Sequence, residues 1–260
     1  MDLDTPKVMG ILNVTPDSFY EGSRTLSYDS ICERVARIAS EGADIIDVGG
    51  CSTRPGAAFP SPEEEWERVE SGCKAVRDNN PDFPLSVDTF RAEVASRAID
   101  KWGADIINDV SGCSDPVMAD VVADKRVAYV LTHNAGIESS ENVTARVLTE
   151  LSWKLHDLRL KGINDIIVDP GFGFGKTTQQ NFELFAHLEE IVRMDCPVLV
   201  GVSRKSMIYK TLGIGPEESF TGTVALNAVA LEKGASILRV HDVKAAKETC
   251  RLIERVKGNR

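Results

Sequence analysis

A single (β/α)8 TIM barrel is the fold this sequence predicts, and three observations carry the prediction. Eight short runs rich in Ile, Val and Leu recur along the chain, most of them ending in a polar residue. Helical spacing of apolar residues follows them, which calls for a parallel sheet covered by helices. The length, 260 residues with 42% hydrophobic content, suits one such barrel spanning residues 1–260. A doubly wound open sheet is the competing topology.

The first strand is Val8–Asn13, followed by the loop Val14–Phe19. Ser27 or Asp29 caps a helix that places Ile31, Val35 and Ile38 on one face, with Gly42 just past its end. The second strand, Ala43–Val48, runs into a glycine-bounded loop, Gly49–Gly56. Ser61-Pro-Glu-Glu64 is a capping box with proline at the first helical position, and Trp66, Val69, Cys73 and Val76 form the buried stripe of that helix. Leu85–Asp88 is the third strand, and a helix over Ala92–Lys101 leads to the fourth, Asp105–Asn108. The fifth, Val127–Leu131, ends at Thr132 and His133, and a long helix covers Thr144–Leu160. Strand six is Ile166–Val168, closed by Asp169, and Phe182, Leu184, Phe185, Leu188 and Ile191 mark one helix after it. Pro197–Val202 is strand seven. An alanine-rich helix over Thr223–Glu232 precedes strand eight, Ser236–His241, and a last helix runs to about Val256.

A net charge of −10 argues against a nucleic-acid or acidic-membrane surface, so an anionic substrate needs a local basic cluster working against the global field. Six scattered cysteines without C-x-x-C pairs read as reduced thiols rather than as a zinc site or a disulfide framework. Val8–Val14 is too short and wrongly flanked for a signal peptide, and no run approaches a membrane span. The expectation is a soluble cytoplasmic protein.

The loop after strand six, Asp169-Pro-Gly-Phe-Gly-Phe-Gly-Lys-Thr177, invites a nucleotide reading. Gly175, Lys176 and Thr177 supply the second half of a phosphate-cradling loop, but Pro170 stands where its first glycine is required. The motif fails, and what survives is a buried strand with a carboxylate at its end.

In a barrel all eight strand ends meet at one face, where such enzymes keep their active sites. Here they carry Asn13, Asp47, Asp88, Asn108, His133, Asp169, Ser203 with Lys205, and Arg239 with His241. Any one acid could cap the following helix, but Arg239, Lys205 and His241 make poor amino-terminal caps. Arg54, Lys205, Arg239 and His241 suit a phosphate or diphosphate. Asp88, Asp169 and Asn108 suit a flat heterocycle with an amino group and ring N–H donors. Acids at the bottom and bases towards the rim suggest a nitrogen heterocycle carrying an anionic leaving group.

These residues resemble the dihydropteroate synthase family of pterin-binding barrels. The matching stretches are Gly10–Phe19 (GILNVTPDSF), Gly42–Gly50 (GADIIDVGG), Ser52–Gly56 (STRPG), Ser86–Thr89 (SVDT), Asn108–Gly112 (NDVSG), Asp169–Thr177, Ser203–Ser206 (SRKS) and Arg239–Val243 (RVHDV). The resemblance implies condensation of 6-hydroxymethyl-7,8-dihydropterin diphosphate with 4-aminobenzoate, with Mg2+, in folate biosynthesis. It implies that Asp88, Asn108, Asp169 and Lys205 hold the pterin, with Phe174 lining the pocket. Asn13 helps place the metal; Arg54, Arg239 and His241 bind the diphosphate. Thr53, Pro55 and Ser206 belong to the 4-aminobenzoate site. By the same resemblance the βα loops are mobile, and the loops Thr15–Gly22 and Cys51–Phe59 close over the substrates. It further implies a homodimer and competition by sulfonamides.

Three positions depart from the family's commoner form. Cys51 stands where Glu is usual, Thr132-His-Asn134 replaces Met-His-Met, and Tyr20-Glu-Gly22 replaces Ser-Asp-Gly. None removes a ligand-binding charge. A pterin-dependent methyltransferase would share the pterin acids without reason to keep both the Ser-Arg-Lys-Ser and the Arg-Val-His-Asp stretches. A catalytically silent pterin binder would have no need of Asn13, Arg54, Lys205 and Arg239.

Overall fold

The structure is a computed structural model that describes residues 3–15, 27–51, 59–138 and 141–258. Eight parallel strands are built by β1 (Lys7–Asn13), β2 (Ile45–Gly49), β3 (Leu85–Asp88), β4 (Ile106–Asp109), β5 (Ala128–Thr132), β6 (Ile166–Asp169), β7 (Leu199–Val200) and β8 (Ile237–Val240). The hydrogen-bonded order is β6-β5-β4-β3-β2-β1-β8-β7. A parallel bridge from Val168 to Val198, with Val168 N–H donating to the Pro197 carbonyl at 2.8 Å, brings β6 against β7 and closes the barrel.

The helices that cover it are α1 (Tyr28–Ser40), α2 (Pro62–Asn79), α3 (Ala92–Trp102), α4 (Met118–Lys125), α5 (Val143–Leu160), α6 (Thr178–Ala186), α7 (Leu188–Val192), α8 (Ser206–Leu212), α9 (Phe220–Glu232) and α10 (Val243–Lys257). Local chemistry starts several of them as expected. The Ser27 hydroxyl caps α1 through the Ser30 N–H, and the Ser61–Glu64 capping box with Pro62 at the first position opens α2.

Three elements differ from the sequence reading. The helix expected after strand six is two, because His187 leaves helical geometry (φ −107°, ψ 23°) and serves as the end of α6 and the start of α7. Strand seven shrinks to two residues, since Pro197 has no N–H to give the ladder and Gly201 lies beyond its paired part. The fourth crossover carries the short helix α4, whose buried set of Met118, Ala119 and Val122 is too small for a periodic signal.

Strand alternation sets what faces the barrel axis. Met9, Ile45, Ile106, Val130, Ile167, Leu199 and Ile237 form a separate buried cluster that plugs the bottom. The outward neighbours of these residues join the larger core beneath the helices. Two residues on from the plug, the same inward positions are Ile11, Asp47, Asn108, Thr132, Asp169, Gly201 and Arg239. Asp88 is inward too, because it pairs with Gly49 and Asn108, which share that parity. An apolar floor therefore carries a polar layer directly above it.

Candidate active site

Asp47 is the hub of that polar layer. It is fully buried, and its carboxylate accepts from the Ser86 hydroxyl at 2.6 Å, the Asn108 amide nitrogen at 3.0 Å and Arg239 Nε at 2.6 Å. The other side of the Arg239 guanidinium donates through Nη2 to Asp88 Oδ2 at 2.6 Å. Four strands, β2, β3, β4 and β8, are thus joined by one buried network. The expected division into acids below and bases at the rim is not what the barrel builds: Arg239 lies among the acids, because an inward cation on β8 is desolvated and finds its partners across the barrel.

Asp169 and Lys205 complete the bowl from the opposite wall. Asp169 Oδ1 accepts the Gly171 N–H at 2.7 Å, and Lys205 Nζ donates to the Phe172 carbonyl while lying 4.9 Å from the Phe174 ring centroid. Asp169 and Asp88 both sit at inward positions of the same polar layer, on β6 and β3, and the Lys205 and Arg239 charges act on both carboxylates. Burial pushes the Asp88 carboxyl up to about 7, against the pull of the Arg239 guanidinium. Burial likewise raises Asp169, against the charge of Lys205, and lowers the Lys205 ammonium to about 8, against the charge of Asp169.

Asn13 ends β1 beside Gly49. A side chain at Gly49 would meet Asn13 Oδ1 at 3.6 Å and Asp88 Oδ2 at 3.7 Å, so glycine keeps open the space between these two oxygens. His241 follows β8 at the rim. Its N–H donates to the Ser203 hydroxyl at 3.2 Å and its carbonyl accepts from Arg34 at 3.3 Å, while burial, and then the nearby Arg239 charge, lowers its ring to about 4. Ser206 is the first residue of α8, half-buried one residue after Lys205. Thr53, Arg54 and Pro55, and most of the two loops expected to close over the substrates, lie outside the described residues.

The glycine-rich loop has a structural explanation in place of a nucleotide. Gly171 takes φ 72°, where a β-carbon would lie 1.9 Å from the His133 carbonyl oxygen, so only glycine lets the loop pass the end of β5. Lys176 Nζ is taken up by the carbonyls of Gly171 at 2.9 Å, Phe174 at 3.2 Å and His133 at 3.3 Å, and lies 3.0 Å from His133 Nδ1. The Thr177 hydroxyl caps α6 in a second capping box with Gln180. His133, one of the strand-end polar residues, therefore belongs to a latch. An ammonium can only donate to its Nδ1, which leaves the hydrogen on Nε2, 3.0 Å from Glu150 though out of line for a hydrogen bond. Spacing along the chain carried no sign of this latch, because Glu150 lies in mid-helix among other charges.

Two of the three departures from the commoner family form are also placed, while Tyr20-Glu-Gly22 lies outside the described residues. The Cys51 thiol is raised to about 11 by burial, then by Glu65, so it is not a reactive thiolate. The Asn134 side chain donates to the Val110 carbonyl at 2.7 Å, tying the β5 end to the β4 loop. Thr132 is fully buried at an inward position, and its hydroxyl has no hydrogen-bond partner.

Comparison with known proteins accords with this geometry. A family profile described as "Pterin binding enzyme" matches residues 9–241, from β1 to the histidine after β8. The dihydropteroate synthase of Clostridium beijerinckii is 43% identical over 256 residues, covering 95% of this chain and 94% of that protein. A Xanthomonas albilineans dihydropteroate synthase solved with 4-aminobenzoic acid superposes with a TM-score of 0.93 at 42% identity, covering 98% of this chain and 94% of that one. The same enzyme in complex with 7,8-dihydropteroate gives a TM-score of 0.90 at 40% identity, covering 99% and 95%. The chain belongs to the pterin-binding enzyme family and, within it, to the dihydropteroate synthases.

Proposed function

We propose that the bowl binds 6-hydroxymethyl-7,8-dihydropterin diphosphate over its apolar floor and transfers the pterin methylene to the amino group of 4-aminobenzoate, giving 7,8-dihydropteroate and diphosphate. The observation that carries the reading is the Arg239 guanidinium, bridged to Asp47 and Asp88 inside one polar layer with Asn108 and Asp169. Asp88, Asn108 and Asp169 are acceptors for the heterocycle's N–H groups, Lys205 is a donor to it, and Phe174 lines its edge.

Cleavage of the carbon–oxygen bond leaves a cation-like methylene on an electron-rich ring and an anionic leaving group. Asp88 and Asp169 stabilise the first; Arg239, His241 and Arg54 stabilise the second. The apolar plug closes the barrel beneath the reactive centre, and the aniline nitrogen attacks without a covalent enzyme intermediate. Its acceptor site is formed near Ser206, together with Thr53 and Pro55.

Mg2+ fits this donor set as a substrate-borne ion. Among the described residues no cluster of three or more His, Cys, Asp or Glu is poised to hold a metal, but Asn13 Oδ1 faces the space that Gly49 leaves open. A sparse protein donor set suits an ion that keeps several waters and takes its other ligands from substrate phosphates. When bound, it would supply charge neutralisation to the leaving diphosphate.

We also propose a homodimer and a cytoplasmic setting. Leu212, Phe220, Val229, Leu252 and Val256 are exposed on α8, α9 and α10, an apolar set that supports pairing of two copies through these helices. All six cysteines are unpaired, which supports a reducing compartment. Among the described residues no helix is long and apolar enough to cross a membrane.

A diphosphate-release assay with both substrates, run with and without Mg2+, tests the reading. Release that needs 4-aminobenzoate is the expected result. Tight pterin binding with no release would replace it with a silent binder, and corrinoid-dependent demethylation of methyltetrahydrofolate with a methyltransferase.

A further inference from the structure

We infer that Asp47 is the positioning residue that sets the hydrogen-bonding polarity of the heterocycle pocket: by holding the amide nitrogen of Asn108, it leaves only the Asn108 carbonyl to meet the ligand. The inference rests on the proposed pterin occupant and adds a residue that need not touch it.

The orientation of an asparagine amide is fixed by its neighbours. A carboxylate accepts and cannot donate while ionised, and the two donors at 2.6 Å, Ser86 Oγ and Arg239 Nε, require acceptor oxygens on Asp47. The Asn108 group facing Asp47 Oδ2 at 3.0 Å is therefore its NH2. Its Oδ1 consequently points the other way, buried and without a partner in the protein. An orphaned buried carbonyl is costly until a donor reaches it, and a ligand lacking that donor leaves it orphaned. Asp88 and Asp169 are acceptors as well, so the wall reads N–H groups, and Asp47 is why Asn108 reads the same polarity rather than the opposite one. The same carboxylate fixes the plane of the Arg239 guanidinium, whose far edge bonds Asp88.

In Asp47→Asn, a second amide replaces the acceptor-only group, and Asn108 is free to turn over and present its NH2. The test measures Kd by calorimetry for the parent pterin and for a panel in which each member lacks one donor: the 2-desamino, 3-methyl and 8-deaza analogues. Wild type is expected to reject at least one analogue by roughly 10- to 10²-fold, and Asp47→Asn to lose about tenfold of that ratio. Asn108→Ala should lose the same ratio for the same analogue. Ser86→Ala, which removes the third partner of Asp47 and leaves the other two, should keep it.

If Asp47→Asn weakens the parent and every analogue by one common factor, Asp47 is a structural residue only. If Asn108→Ala leaves all ratios intact, the inference fails even where Asp47→Asn does not fold. Folded wild-type protein that binds no pterin at all would instead overturn the proposed function.

Discussion

Arg204 and Asp242 form a two-pronged ion pair, Nε to Oδ2 at 2.9 Å and Nη2 to Oδ1 at 2.8 Å, that ties the loop after β7 to the residue after His241. Arg204 holds φ 55°, an uncommon backbone state for a residue with a β-carbon, and it immediately precedes Lys205. The pair explains why the Ser-Arg-Lys-Ser and Arg-Val-His-Asp stretches occur together. Each contributes a side chain to the bowl, and Arg204 with Asp242 fixes the distance between them.

Arg204→Ala should therefore act through Lys205 and His241. We expect kcat/KM to fall roughly tenfold, with Asp242→Asn falling similarly and the double variant little further, as coupled residues do. The pair is partly exposed, so thermal stability should change little. Additive losses in the double variant would show that the two residues act separately.

Arg239→Ala should be far more severe. It removes the cation from two carboxylates, one fully buried, and breaking such a pair costs about 3–5 kcal/mol of stability. Catalytic efficiency should fall by roughly 10²-fold or more through lost diphosphate stabilisation. Steady-state kinetics beside thermal melting separate the effects. Asp88→Asn should lose a comparable factor mainly in pterin recognition, and unaltered kinetics in both variants would contradict this placement of the site.

Much of the barrel was legible because its code is local. A β-branched run followed by a polar residue marks a strand and its end, and Leu85–Asp88 is predicted and found with the same bounds. The convergence of Asp88, Asn108, Asp169, Lys205 and Arg239 follows from topology alone once eight strands are accepted. Which of these residues pair was not legible. Nothing in the spacing of Asp47 and Arg239 says that their side chains meet at 2.6 Å, since that depends on strand parity and barrel closure together. The Lys176 to His133 contact was hidden for another reason: a Gly-Lys-Thr sequence points to a ligand, whereas here its lysine satisfies carbonyls of its own loop.

Thr132→Val should stabilise the free protein. The threonine hydroxyl is buried without a partner, and replacing an unsatisfied polar group by an isosteric methyl recovers about 1 kcal/mol or more. For a chain of this length that is a rise of roughly 2–4 °C in Tm. A fall in Tm would mean that the hydroxyl is hydrogen-bonded in solution, as to an ordered water.

Sulfonamides copy the aniline and the acid of 4-aminobenzoate, so they should occupy its place near Ser206 and leave the pterin wall undisturbed. The expected pattern is a rising apparent KM for 4-aminobenzoate at unchanged kcat. Inhibition that does not depend on the 4-aminobenzoate concentration would place the drug elsewhere.

The pH profile follows from the two groups that face each other across the bowl. Asp88 must be ionised to accept from the pterin, and burial has pushed its carboxyl up to about 7, so activity should fall as pH drops below that value. Lys205 must be protonated to donate, and burial has lowered its ammonium to about 8, so activity should fall as pH rises past that value. The kcat/KM for the pterin substrate is then a narrow bell, with apparent values belonging to the coupled set that includes Arg239. Lys205→Arg should remove the alkaline limb and keep the acid one, because a guanidinium stays charged. A profile that is flat from roughly pH 6 to 9 would assign recognition to groups other than these two.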